Sequence, residues 1–326
     1  MAEATDQTVI GIDVGGTKIR GLAFDAGDPA SIVAESRIDT PDGTDRLVEA
    51  LLETVRRVQQ APGTPVGVGI AGLVGRDGRF LVGPHLPGVI DAPLRSILSE
   101  ALDGPVAVVN DAAAAAWAEH QIGAGQGSDD LVMVTLGTGI GGGVIRNGRL
   151  FSGARGYAAE FGHMVIDPGG PQCPCGRRGC WERYASGVGL GRIARERALE
   201  GGVAAAVELA GGEPGDVRGE HVTASAAAGD DDALAVLGEF SGWLALGLAN
   251  LVAILDPDRI VLGGGVISAH DLFVGPTQAR LDLALMKAEH RPEVPIAPAR
   301  LGPEAGAVGA GLFAAYAANP GPTSSP

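Results

Sequence analysis

The stretch Gly153–Arg183, GARGYAAEFGHMVIDPGGPQCPCGRRGCWER, limits this chain more than any other. It holds all three cysteines, Cys173, Cys175 and Cys180, in a C-x-C-x4-C run, with His163 ten residues before the first. Three thiols and one imidazole are the ligand set of a closed, four-coordinate zinc site. Glycines 169, 170, 176 and 179 let such a loop turn tightly enough to converge four side chains on one ion. The competing reading is ordinary thiols, or a disulfide with one cysteine left over. No other cysteine exists, and the start MAEATDQTVIGID lacks a basic n-region and an apolar h-region, so metal is favoured over a secreted disulfide. A zinc here is structural. It fixes a loop that presents Glu160, His163 and Glu182 to something else.

At 326 residues the expectation is two domains, and 45% hydrophobic residues supply a core for each. The net charge of −15 argues against a nucleic-acid partner, which needs basic patches. Residues 233–255 form the longest apolar stretch. Glu239 interrupts it, and 240–255 falls short of the about 20 residues of a membrane span. The expectation is a buried helix in a cytoplasmic protein with no membrane association.

Along the chain, 8–14 and 19–25 are apolar runs around Gly15-Gly16-Thr17-Lys18, a hairpin pattern, with a third run at 31–38. Residues 43–60 carry Leu47, Leu51, Leu52, Val55 and Val58 on one helical face. Strands are expected at 66–71 and 106–109, the latter leading through Asn110-Asp111 into an alanine-rich helix. After 123–128 the pattern restarts: strand 130–136, the turn Gly137-Thr138-Gly139 and following glycines, then 144–146. Set side by side, 9–24 and 132–145 form a weak internal repeat. Helices follow at 186–200 and 230–255, a strand at 259–262 entering Gly263-Gly264-Gly265, and helices at 269–287 and 305–318. The tail 319–326 is expected to be unstructured. Strand–helix alternation in both halves implies α/β domains with mixed sheets.

Two glycine turns, one per half, are natural phosphate cradles, because their N–H groups converge and glycine allows close approach. Tight hairpins use glycine for the same steric reason, so either turn alone is weak evidence. The third turn at 263–265 points to a nucleotide. Asp13 suits Mg²⁺, Thr17 and Thr138 offer hydroxyls, and Lys18 is either a phosphate contact or a solvated hairpin residue. Gly67-Val68-Gly69-Ile70-Ala71-Gly72 satisfies the dinucleotide pattern G-x-G-x-x-G, but LVGRDGRFLVGP follows with no helical period, which argues against NAD. Asn110 and Asp111 read either as a helix N-cap or as paired ligands at a strand's carboxyl end.

Together these motifs resemble the ROK family (repressors, open reading frames and kinases), in particular its zinc-containing glucokinases of actinobacterial type. The matching pieces are Asp13-Val14-Gly15-Gly16-Thr17-Lys18, Asn110-Asp111, Gly137-Thr138-Gly139, Glu160-Phe161-Gly162-His163, the block Cys173 to Glu182, and Gly263-Gly264-Gly265. The resemblance implies an actin-like, ribonuclease-H-like fold of two α/β domains around a cleft. Residues 1–122 plus a returning helix at 305–318 would form the smaller domain, and 123–304 the larger, with the zinc loop at 163–180. It implies a hexose held by Gly72 (through its backbone), Asn110, Asp111, Glu160, His163 and Glu182, with Asp111 the general base. Asp13, Gly15, Gly16, Thr17, Lys18, the turn 137–139 and the turn 263–265 would bind ATP and Mg²⁺. His163, Cys173, Cys175 and Cys180 would bind zinc.

The expected activity is transfer from ATP to the 6-hydroxyl of D-glucose. Other hexoses (N-acetylglucosamine, N-acetylmannosamine, mannose, fructose) are the first alternative, and a non-catalytic sugar sensor the second. Only 12 residues precede Asp13, which disfavours a DNA-binding repressor. A homodimer or homotetramer is expected from the resemblance alone. Asp111, at a helix N-terminus, is expected to have its charged form favoured. Two positions depart from the family pattern: His85 stands where Asn is usual, and Ala159 where Gly is common, a small change if the backbone there has negative φ.

Overall fold

The apolar runs around the two glycine turns fold as paired strands, and each founds a sheet. In the computed structural model, which describes residues 8–319, β1 (Thr8–Val14) turns into β2 (Lys18–Asp25), followed by β3 (Asp28–Asp39) and helix α1 (Thr44–Val58). Leu47, Leu51, Val55 and Val58 of α1 are buried, as their spacing predicts. Next come β4 (Val66–Ile70), the small hairpin β5 (Leu73–Val74) and β6 (Phe80–Val82), α2 (Leu94–Leu102), β7 (Val106–Asn110) and α3 (Asp111–Ile122).

The second set comprises β8 (Leu131–Leu136), β9 (Ile140–Arg146), β10 (Arg149–Leu150), α4 (Glu182–Ala185), α5 (Gly187–Leu199), α6 (Ala204–Leu209) and α7 (Gly219–Ala227). It ends with α8 (Asp231–Leu255), β11 (Arg259–Gly263), α9 (His270–Ala284), β12 (Ile296–Pro298) and α10 (Ala305–Ala318). The expected tail lies outside the described residues except for Asn319. Sequence periodicity missed α2, α6 and α7. Neither α2 nor α6 has a side-chain N-cap bond, and α6 is only 6 residues long, so neither carries the usual start signal.

The strand orders are β3-β2-β1-β4-β7 and β10-β9-β8-β11-β12. In both sheets the first three strands are antiparallel, while the last two pairings are parallel. The weak repeat is therefore a duplicated topology, the actin-like two-domain fold that the resemblance implied. α10 packs on β1 and β4 and against α3. It approaches so closely that a Cβ at Gly11 or Gly67 would collide with the carbonyl oxygens of Ala307 or Ala310. Gly67, the first glycine of the dinucleotide-like pattern, thus clears space for a helix some 240 residues away. After Gly72 comes the hairpin β5–β6, with no helix to face a pyrophosphate.

Helix α8 is apolar and long enough to cross a membrane by length and composition. Here Asp230 caps its start, and Leu237, Phe240, Leu244, Leu248 and Leu251 are buried in the second core. Phe240 meets Phe273 of α9 edge to face at 5.5 Å, a pairing worth about 1 kcal/mol beyond the area it buries.

Candidate active site

Of the pair Asn110-Asp111, Asn110 takes the cap of α3, which leaves its second amide hydrogen and second lone pair for a ligand. The Asn110 Oδ1 accepts the Ala113 N–H at 3.0 Å, capping α3, and its Nδ2 donates to the Gly72 carbonyl at 3.2 Å. Asn110 is thus the cap, tied to the turn after β4. Asp111 is the first helical residue and is left out of that cap. Burial pushes its carboxyl above the ordinary range, opposed by the N–H groups of Ala112 and Asp111, by Asn110 and by nearby His85. This reverses the expectation from the helix terminus. Desolvation outweighs the backbone donors, and Asp111 is a stronger base for it.

Asp13, the last residue but one of β1, lies within the electrostatic reach of Asp111. Burial first, then Asp111, pushes it up to about 6, against Arg20. Glycine at 306 in α10 makes room, since a Cβ there would lie 3.0 Å from the Asp13 Cγ. Arg20 is itself engaged by Glu35 at 3.0 Å and Glu304 at 2.7 Å.

A single turn, Phe161–His163, carries the next group. Burial raises the Glu160 carboxyl; His163 opposes this, and Asp111 and Glu182 reinforce it. Glu160, Glu182, His163 and Asp111 therefore share one field. Ala159, just before Glu160, has φ of 72°. The condition under which alanine was harmless there is not met, because an L side chain at positive φ costs about 1 kcal/mol.

His163, Cys173, Cys175 and Cys180 bring their ligand atoms within 4.8 Å of one another. Cys173 Sγ lies 3.8 Å from His163 Nδ1, and Cys175 Sγ 3.6 Å from Cys180 Sγ. A tetrahedron with Zn–S bonds of about 2.3 Å has edges of about 3.8 Å, so the donor set fits zinc. The Arg177 backbone N–H is the main cause holding the exposed Cys175 thiol down to about 6, while burial pushes the Cys173 and Cys180 thiols up. With Nδ1 turned to the thiols, His163 has Nε2 on its other side. Glu182, the first residue of α4, accepts from Cys173 Sγ at 3.0 Å. Its Oε2 lies where a Cβ on Gly139 would be, so Glu182 touches both the thiol loop and the second glycine turn.

The three glycine turns differ in what surrounds them. At the first, the Gly15 N–H bonds the Lys18 carbonyl at 3.0 Å, and Thr40 Oγ1 donates to the Gly15 carbonyl at 2.7 Å. A Cβ on Gly16 would lie 2.7 Å from the His85 Cβ, while the exposed Lys18 ammonium pairs with Asp39. The second turn and the third line one cavity of about 710 Å³ through Gly137, Thr138 and Gly265. Gly264 holds φ of 85° against the Leu136 backbone. Gly187 of α5 donates its N–H to the Gly137 carbonyl at 2.8 Å. The cavity's far wall, Gly187, Arg195, Arg218 and Gly219, was missed in the sequence. The run GVGLG at 187–191 was its one available signal, since Gly187 and Gly191 both line the cavity.

The ROK family model matches residues 9–316. A glucokinase of Streptomyces coelicolor is 36% identical over 92% of this chain and 95% of its own length. An N-acetylmannosamine kinase of Citrobacter koseri is 34% identical over 94% of this chain and 98% of its own. A ROK family glucokinase from Streptomyces griseus, in complex with glucose and AMPPNP, superposes with a TM-score of 0.80 at 37% identity, covering 94% of this chain and 98% of that one.

Proposed function

The chain belongs to the ROK family, and from that premise we propose that it is an ATP-dependent hexose kinase acting on the 6-hydroxyl of D-glucose. One observation carries the reading: Asp111, a carboxylate free of the helix cap, stands with raised proton affinity among Asp13 and Glu160. Relatives acting on glucose and on N-acetylmannosamine leave the kinase class common to both and the sugar open to test. His85, against Gly16 and in the field of Asp111, is the residue most placed to shift that choice. The domains would divide at 122/123, with 305–318 returning to the first.

In this mechanism Asn110, Glu160, the His163 Nε2 and Glu182 orient the sugar hydroxyls, and the Gly72 backbone borders them. Asp111 takes the proton of the 6-hydroxyl as its oxygen bonds the γ-phosphorus and the bond to the β–γ bridging oxygen breaks. Such a transition state is loose, so positioning and charge neutralisation carry most of the acceleration. The turns at 15–17, 137–139 and 263–265 hold the phosphates on main-chain N–H groups, with the base in the cavity against Gly187 and Gly219. Asp13 would hold Mg²⁺, which neutralises charge on the phosphates when bound. His163, Cys173, Cys175 and Cys180 would hold zinc, which fixes the loop carrying Glu160 and Glu182.

The test is ADP release with Mg-ATP against glucose, mannose, fructose, N-acetylglucosamine and N-acetylmannosamine. Preference for glucose supports the reading in full. Preference for another sugar retains the kinase and moves the specificity to His85. Binding without turnover on any of them replaces the enzyme with a sugar sensor.

A further inference from the structure

The chain passes between its two sheets twice, from α3 into β8 through 123–130 and from β12 into α10 through 299–304. The two crossings are remote in sequence, yet they meet at one side chain. Glu119, near the end of α3, is fully buried. Its Oε2 accepts the Ala124 N–H at 2.7 Å, in the first crossing. Its Oε1 accepts the N–H groups of Arg300 at 2.9 Å and Leu301 at 2.8 Å, in the second. Among the described residues no lysine or arginine side chain pairs with it.

A buried carboxylate costs several kcal/mol unless its oxygens are satisfied, and here three main-chain amides satisfy it, one oxygen to each crossing. The run Gly123-Ala124-Gly125 is shaped around it: a Cβ on Gly123 would collide with the carboxylate, and one on Gly125 would lie 3.1 Å from the Glu119 carbonyl oxygen. From the second sheet, Arg259 Nη1 donates to the Ala124 carbonyl at 2.7 Å.

We infer that Glu119 is a positioning residue, the pin at which both crossings are joined and about which the two sheets turn. The inference rests on the hexose kinase reading for its kinetic consequence. α3 carries Asp111 at one end and Glu119 eight residues on, about 12 Å away along the axis. The first crossing leads through β8 to the turn 137–139, and the second leads through α10 to the glycine beside Asp13. Pinning the crossings together therefore sets the base against the phosphate turn. A tilt of about 5° at Glu119 displaces Asp111 by about 1 Å, and a displacement of that size lowers a rate by about 100-fold.

Glutamine is the informative substitution, because an amide has one acceptor oxygen and one donor nitrogen. Whichever way it sits, one crossing loses its acceptor and meets a second donor. Glu119→Gln is expected to fold and to bind glucose, by calorimetry without ATP, within about 3-fold of the wild type, while kcat falls by about 10-fold or more. A variant that is merely less heat-stable, with wild-type kcat at 25 °C, overturns the inference. Hydrogen exchange on the wild type keeps the matter decidable should that variant not fold. The amides of Ala124, Arg300 and Leu301 must stay protected with and without glucose, and rapid exchange at any of them in either state also overturns the pin. Absence of turnover in the wild type with every sugar removes the kinase reading, while the exchange measurement still decides the pin.

Discussion

The turns at 15–17 and 137–139 are equivalent in the duplicated topology and similar in sequence, yet their surroundings differ. Beside the first stand two carboxyls that burial pushes up, Asp13 and Asp111, with His85 against Gly16. The second opens on the 710 Å³ cavity and is tied to α5 through Gly187. A glycine turn thus states where a backbone can approach a ligand, and the elements packed around it state which part of the ligand comes there. If the proposed mechanism holds, the first turn sits with the groups that react and the second with the cavity that binds.

That division is broken most directly at Asp111. Asp111→Asn keeps the shape and removes the proton acceptor, so kcat should fall by about 1,000-fold, within the usual reach of a general base. Glucose affinity, measured without turnover, should change by less than about 10-fold. A variant with wild-type turnover moves the chemistry elsewhere. The counterpart is Thr138→Val, which removes one hydroxyl from the cavity side and should raise the KM for ATP about 10-fold, about 1.4 kcal/mol. Its kcat should stay near wild type, and an equal loss of kcat with no change in KM would erase the division between the turns.

Asp13 sharpens the comparison through stability. Its folded-state pKa, about 6, lies above the unfolded value of 3.8, so the folded protein binds the proton more tightly. The stability this contributes is present below about pH 4 and is lost as pH rises through about 6. The displacement bounds the effect at about 3 kcal/mol. Asp13→Asn should therefore melt higher than wild type at pH 8, with no gain at pH 4, while losing activity. Melting curves across that range that coincide at every pH would show the desolvation to be illusory.

Much of this site was legible because its residues are neighbours in the chain. Cys173, Cys175 and Cys180 lie within one loop, and Asn110 and Asp111 share one strand end, so local pattern was sufficient to bring them together. The raised proton affinity of Asp111 was not legible, since burial outweighs a helix-terminus argument made on one element. Gly67 imitated a nucleotide motif because its true constraint, the Ala310 carbonyl, comes from α10. Glu119 and the cavity wall at Arg218-Gly219 were missed for the same reason: their partners are remote, and 201–229 carries no clear period.

Ala159 is a local case that the sequence posed and the backbone answers. With φ of 72°, Ala159→Gly should stabilise the protein by no more than about 0.5 kcal/mol, the relief of a strained L residue less the extra chain entropy of glycine. Denaturant unfolding measures it, and a destabilised variant would mean that the methyl makes contacts worth more than the strain. If Glu160 binds the sugar as proposed, the KM for sugar should respond more than kcat.

The smallest effect is expected at Lys18, a charged residue that the second turn lacks. A lysine after Gly-Gly-Thr invites assignment to a phosphate, but its ammonium pairs with Asp39 across β2 and β3, with both side chains largely exposed. An exposed pair of this kind contributes less than about 0.5 kcal/mol, so Lys18→Ala should unfold within that margin of wild type. If the first turn acts through its backbone, with charge supplied at Asp13 and Asp111, the KM for ATP should change by less than about 2-fold. A rise of about 10-fold would mean that the ammonium leaves Asp39 for the nucleotide, and the first turn would then share in binding as fully as the second.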